Sequence, residues 1–397
     1  MKVKHILALM LLISFGSIGA VIFTPGLPAI AAYFMISNQT AELTVTWYLV
    51  GYAFGQLIYG ALANRFGSRI TIAIGACLAS IGALGCILSY PLHSFTLLVI
   101  ARFIMALGAA SGLKMTFTLS HKLFTHEESA SVLGLLTCAF AITPGLGVFI
   151  GGIVVSYFNW SAPFYLMVVY ALAVLILAIA LPEVYNIKDY DALQLGNLIN
   201  NYLLQFKDPS IIVGGLLVGL GSCIVYTFAA LAPFIAMNIM HVTPSSYGIY
   251  NFVPCIGILA GSLLSNYLGK IWLPNKSLKF GLSISLIGAI LLAVLLCLFI
   301  DQALSLFIPM VIIYFGLSFI FGNSAALALQ YAKDKSNASA VMSFINMGSA
   351  FLVITVLGFY TISTPIILPI IYLGLLSLGV LWYIILIRHL AHRSVNS

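Results

Sequence analysis

Arg102 and Lys114 stand well inside apolar stretches of this 397-residue chain, while its other Lys and Arg residues fall between such stretches, at their ends or at the termini. A cation in hydrocarbon costs at least about 2.5–3.5 kcal/mol, so each needs water, a ligand or polar backbone around it. Twelve residues apart on one helix, the two sit roughly 18 Å apart along the axis and about 120° apart around it. They cannot share one small anion unaided. Together they would make a surrounding cavity positive, favouring anionic or neutral ligands and repelling cationic ones. The other uses open to them are snorkelling to an interface and bonding to backbone carbonyls. The nine acidic residues (Glu42, Glu127, Glu128, Glu183, Asp189, Asp191, Asp208, Asp301, Asp334) lie in connections or at the ends of apolar stretches, and the seven histidines also lie near ends. Proton relays in membranes normally run through Asp, Glu or His, so the sequence offers no central group for one. The same lack speaks against a membrane enzyme, which would need a carboxylate cluster for magnesium-diphosphate or a catalytic dyad. No GxxxxGK[ST] phosphate loop is present, which speaks against direct ATP hydrolysis.

Uncharged polar groups form a second set of candidates for contact with a solute. Tyr52 and Gln56, four residues apart, share a helix face. Tyr226, Asn251, Asn323 and Asn346 also fall inside apolar stretches. Each has a plainer use as an interhelical hydrogen bond worth about 0.6 kcal/mol. A third set is mechanical. GALANRFGSR, from Gly60 to Arg69, combines Gly60 and Gly67, suited to close packing and a sharp turn, with Asn64, Arg65 and Arg69. Pro144 with Gly147, Gly151 and Gly152 should give a bendable, closely packed helix.

These residues must be positioned by membrane helices. Apolar residues make up 62% of the chain and charged residues 6%, too few charges to cover a water-soluble surface. Apolar stretches long enough to span a bilayer run over 6–30, 44–62, 70–90, 95–119, 130–155, 162–181, 211–236, 246–267, 278–299, 303–331, 338–360 and 364–387. Lys and Arg concentrate in alternate connections and at both termini, and the six opposite loops hold none. The positive-inside rule therefore puts both termini in the cytoplasm and makes the span count even. The expected fold is an all-α membrane protein of twelve transmembrane helices in two six-helix halves. The halves are 1–181 and 211–397, joined by a cytoplasmic linker at 182–210. In that linker Leu195, Leu198, Ile199, Tyr202 and Phe206 recur at helical spacing, as in an interfacial helix or one packed on the bundle. GALANRFGSR has a counterpart half a chain later in GSLLSNYLGK, from Gly261, the kind of internal repeat on which many transporters are built. The six cysteines lie in apolar runs without CxxC spacing, so neither a disulfide framework nor a zinc site is expected, and no cofactor. The basic residues form no dense patch, so nucleic acid is not an expected partner. The N-terminal apolar stretch is read as a retained first helix, because it is long and lacks a cleavage site.

Val50 to Arg69, VGYAFGQLIYGALANRFGSR, carries a family resemblance. So do PGLP from Pro25 to Pro28, Arg102 with Gly108-Ala109-Ala110, and Pro144 through Gly151-Gly152 with Asn159-Trp160; Tyr226 with Pro233-Phe234 adds to them. At these residues the chain resembles the major facilitator superfamily, in its bicyclomycin/chloramphenicol-resistance (Bcr/CflA) drug efflux branch. The resemblance implies alternating-access transport of a small organic solute across the bacterial inner membrane, in the export direction and with the site between the halves. The implied partners are the lipid bilayer, the solute and a coupling ion, and the expected state is a monomer. It also implies that Arg65 and Arg69 latch onto helix ends or carboxylates of the other half, favouring an outward-open state. The chain departs from the family pattern with Asn64 for an Asp, Ser68 for a basic residue and Gly147-Val148 for Gly-Pro. Its first helix reads Ala20-Val21-Ile22-Phe23 where related exporters hold an Asp. The rival expectations are an importer or exchanger of organic anions, such as a polycarboxylate siderophore, and a membrane enzyme or accessory subunit without transport of its own.

Overall fold

A computed structural model of the chain describes residues 2–124, 126–184, 195–332, 334–359 and 364–396. It divides into two compact units, Met1–Leu198 and Ile199–Ser397. The first unit begins with α1 (Lys2–Val21), a 3-10 turn (Thr24–Gly26) and α2 (Leu27–Phe34). It continues with α3 (Asn38–Phe66), α4 (Ser68–Ser89), α5 (Phe95–Leu123), α6 (His126–Tyr157) and α7 (Ala162–Ala180). The division between the units falls inside α8 (Leu195–Phe206). The second unit contains α9 (Pro209–Phe234), which runs on as a π-helical turn (Ile235–Ile239). After it come α10 (Pro244–Tyr250), α11 (Phe252–Leu268), α12 (Pro274–Leu298), α13 (Ala303–Leu329), α14 (Lys335–Leu357) and α15 (Ile367–Asn396). No strand occurs among the described residues.

Among the described residues, 10 helices are long and apolar enough to cross a membrane. Neither α3, whose length carries many polar residues, nor α6, whose described apolar part is the shorter Ile142–Tyr157, is among them.

Each unit repeats one packing scheme. In the first, α5 packs against α3, α4 and α1, α1 also against α6, and α4 against α7. In the second, α13 packs against α11, α12 and α9, α9 also against α14, and α12 against α15. The tightest seams are built alike. A Cβ on Gly51 or Gly55 of α3 would strike Phe103 or Ala110 of α5, and one on Gly257 or Gly261 of α11 would strike Val311 or Phe315 of α13. A glycine pair four residues apart brings two helix backbones together without a side chain between them. This glycine pair is a second internal repeat, beyond the turn after the second apolar stretch.

Proline fixes where helices break. Its ring clashes with the carbonyl four residues earlier. Accordingly α1 ends at Val21, four before Pro25, and α10 ends at Tyr250, four before Pro254. Capping fixes other boundaries. Ser37, Ser94, Asp208, Thr243 and Asp334 each accept an amide proton from the first turn of the helix they precede, satisfying donors a helix start leaves open. The apolar face expected on α8 is divided. Tyr202 is buried and Phe206 meets Phe344 edge-on, while Ile199 and Leu203 are exposed. The side chains of Leu195 and Leu198, and residues 185–194 of the linker, lie outside the described residues.

Candidate functional site

In the first unit Arg102 is fully buried on α5, and it serves the backbone. Its Nη1 donates to the carbonyl of Gly19 at 2.6 Å, Nη2 to Ala20 at 3.2 Å and Nε to Thr44 at 3.1 Å. The reason lies in the end of α1. With Pro25 unable to donate, the carbonyls of the last turn need other partners. Ile22 N serves Ile18, and the Thr24 hydroxyl serves Val21. The guanidinium supplies Gly19 and Ala20, and brings a positive charge to a helix C-terminus, where it is favoured. The plane of the group lies between the rings of Phe23, 4.0 Å from its carbon, and Tyr48, at 4.2 Å, a cation–π sandwich. Tyr48 is itself fixed by donating to Gly16 O at 2.8 Å. A solute contact by Arg102 would have to displace these bonds.

Lys114 is placed differently. Half-buried on α5, it lies beside Gly60 of α3, where an added Cβ would come within 3.3 Å of its Cε and 3.8 Å of its Nζ. Tyr52 covers Gly16 of α1, where an added Cβ would collide with its ring, and stacks at 6.3 Å on Tyr48. Gln56 is buried, and its Nε2 has no hydrogen-bond partner among the described residues. At roughly 100° per residue, Glu42, Thr46, Leu49, Ala53, Gln56 and Gly60 form one stripe along α3. It lies on the side opposite Gly51 and Gly55, which face α5. Glu42, Thr46 and Gln56 are all nearly inaccessible, at 1%, 2% and 3% exposure. The burial of Glu42 was not legible in the sequence, where it reads as a residue at the end of an apolar stretch.

The GALANRFGSR segment closes on a carboxylate of its own unit. Gly67 has φ +92, and a Cβ there would also collide with the carboxylate of Glu183. Glu183 accepts from Ser68 N and Ser68 Oγ, both at 2.8 Å, and from Arg69 N at 3.1 Å. An anion at the start of α4 suits both the open amides and the helix dipole. The Arg69 Nε donates at 2.6 Å to Leu181 O, just past α7. Arg69 thus ties α4 to the end of α7 within the first unit. Asn64 is exposed and Arg65 half-buried. In α6, Gly147 faces Ile18 and Val21, and Gly151 meets the Ile22 backbone too closely for any side chain. Gly152 is buried beside them and Pro144 is half-buried within the same helix.

In the second unit Asn251 occupies the break between α10 and α11, and its Nδ2 donates to Tyr247 O at 3.0 Å. Asn323 links α13 to α11, donating to Phe319 O at 2.8 Å and to Ser265 Oγ at 3.4 Å. Asn346 of α14 is half-buried with an Oδ1 that finds no donor among the described residues. Tyr226, half-buried on α9, lies with Tyr247 and Cys255 near the half-buried Tyr314. Tyr372 of α15 donates to Ile224 O at 3.0 Å. Tyr314, Tyr247 and Tyr372 are aromatic neighbours that sequence spacing did not single out, because they come from three separate helices.

Residues 7–355 match the family model of the Major Facilitator Superfamily. The chain is 28% identical over 348 residues to an uncharacterised transporter of Rickettsia bellii, covering 85% of each. It is 27% identical over 276 residues to a bicyclomycin resistance protein homolog of Haemophilus influenzae, covering 64% of this chain and 68% of that one. Its fold is similar to the crystal structure of a D-xylose-proton symporter, with a TM-score of 0.79 at 15% identity and 97% of each chain covered.

Proposed function

The chain belongs to the major facilitator superfamily, and from that premise we propose that it exports a small organic solute across the bacterial inner membrane by alternating access. In this reading twelve spans form two six-helix halves, with both termini cytoplasmic. Drug efflux is the branch that the resemblance and the bicyclomycin-resistance relative favour. The observation that carries the reading is a set of buried hydrogen-bonding atoms that find no partner among the described residues. Gln56 Nε2 in the first unit and Asn346 Oδ1 in the second are the candidate sites' examples. A buried amide without a partner costs stability, about 1–3 kcal/mol. A transporter regains it when a solute supplies the missing partner.

The charge in the path falls to Lys114, while Arg102, roughly 18 Å away along α5, holds the end of α1 in place. Tyr52, Gln56, Tyr226, Asn251, Asn323 and Asn346 are the remaining candidate contacts. The hinge and latch candidates are Gly60, Asn64, Arg65, Gly67 and Arg69 together with Pro144, Gly147, Gly151 and Gly152. A positive group within the apolar stretches favours anionic or neutral solutes over cationic ones. The test is solute counterflow in liposomes containing only this chain, with neutral antibiotics, organic anions and lipophilic cations. Neutral or anionic solutes should exchange, and Lys114→Ala should reduce the anionic ones most. Exchange of lipophilic cations at rates untouched by Lys114→Ala would overturn the charge assignment. No exchange of any class would overturn transport by the chain alone.

A further inference from the structure

The other described acidic side chains have a task or lie in the open. Glu183 caps α4, Asp208 caps α9 by accepting from Ser210 N at 2.9 Å, Asp334 caps α14, and Asp301 is exposed. Glu42 is different. It is 1% exposed, and neither carboxyl oxygen has a hydrogen-bond partner among the described residues. It stands in the first turns of α3, two residues ahead of the apolar stretch 44–62. The nearby Arg102 cannot serve it. Arg102 reaches α3 at Thr44 O, and position 44 lies roughly 160° around the helix from position 42.

The elements of the first unit that pack on α3 bring few titratable groups to this end: Tyr33 of α2, Cys86 of α4 and Arg102 of α5, with Tyr48 on α3 itself. Tyr33 donates to Tyr90 O and Tyr48 to Gly16 O, each at 2.8 Å, and Arg102 is held by its carbonyls. None is bonded to Glu42. A carboxylate taken out of water with neither cation nor donor is strongly disfavoured, whereas the neutral acid is tolerated. Burial accordingly pushes this carboxyl from 4.5 up to about 8.

We propose that Glu42 is a proton-binding site of the transport cycle, protonated when the start of α3 is buried and ionised when that end is exposed. The step makes and breaks one bond. A carboxylate oxygen takes a proton from hydronium as α3 becomes buried, and returns it to water on exposure. Linkage then requires that acid favour the buried state. The cycle rests on the transport reading above, but the site rests on the burial of Glu42 alone. This supplies the proton-binding acid that the apolar stretches lack, at a position outside them.

The test has two parts, using full-length protein and the variants Glu42→Gln and Glu42→Asp. In detergent, infrared difference spectra between acid and alkaline pH should show a protonated-carboxyl band near neutrality. Glu42→Gln should lose it, and Glu42→Asp should keep it with a displaced titration. In liposomes loaded with a pH-sensitive dye, the protons moved per solute should fall to near zero in Glu42→Gln and recover in part in Glu42→Asp. A Glu42→Gln variant that keeps both the band and the wild-type proton ratio overturns the proposal, as does dependence on sodium in place of protons. If wild type moves no solute but its band vanishes in Glu42→Gln, the transport reading fails while the proton site stands.

Discussion

Arg102 and Glu42 meet the same helix two residues apart, Arg102 through the Thr44 carbonyl, and both are almost wholly buried. Their surroundings are opposite. Every guanidinium nitrogen of Arg102 has a carbonyl, and two aromatic rings cover its faces. Neither oxygen of Glu42 has a hydrogen-bond partner among the described residues. A buried charge whose bonds are all met is part of the scaffold, and removing it orphans its partners. A buried ionisable group with no bonds gives the scaffold nothing, and its cost is avoided only by losing the charge. The difference follows from which side of α3 each group is on, and so from helix geometry more than from residue type.

The sharpest way to break this contrast is Arg102→Ala. It strands the carbonyls of Gly19 and Ala20, at about 1–3 kcal/mol each, so thermal unfolding should show a loss of about 2–6 kcal/mol. An Arg102→Ala protein as stable as wild type would put Arg102 with Glu42 among the groups the scaffold does not need. The next effect is the pH dependence of Glu42. Its folded value is raised, so the folded state holds the proton that the unfolded state has already lost between about 4.5 and about 8. Stability should therefore fall as pH rises through that window and level off above it. Glu42→Gln should remove the fall, read as the difference between the two melting profiles; parallel profiles would contradict the assignment. A third test uses the met carboxylate, Glu183. Gly67→Ala combines a left-handed backbone with a collision at Glu183 and should cost about 1–3 kcal/mol. The smallest effect is Gln56→Leu. It removes an unmet amide, so its stability should stay within about 1 kcal/mol of wild type, while counterflow of the solute falls. Strong destabilisation there would make Gln56 a scaffold residue like Arg102.

Much of the helical layout could be read directly from the chain, because hydrocarbon forces each span to be long, apolar and internally bonded. The stretches 70–90 and 95–119, for example, fall on α4 and α5. The stretches 6–30 and 246–267, read as unbroken spans, are each interrupted, α1 ending at Val21 and α10 at Tyr250, because hydropathy passes over the clash that Pro25 and Pro254 impose. The singular position of Arg102 and Lys114 was also plain, since charges inside apolar runs are rare. Which of them faces carbonyls was not, because the carbonyls of Gly19, Ala20 and Thr44 come from helices 58 to 83 residues away. The tie from Arg69 to Leu181 and the seat of Glu183 on α4 were hidden for the same reason, each spanning more than 110 residues. Glu42 shows the limit most clearly. Sequence determined that an acid opens the helix carrying the best-matched motif. Only packing decided that this end is buried and that no donor among the described residues reaches it, because burial is a property of what surrounds a residue and one-dimensional hydropathy averages only over its neighbours along the chain.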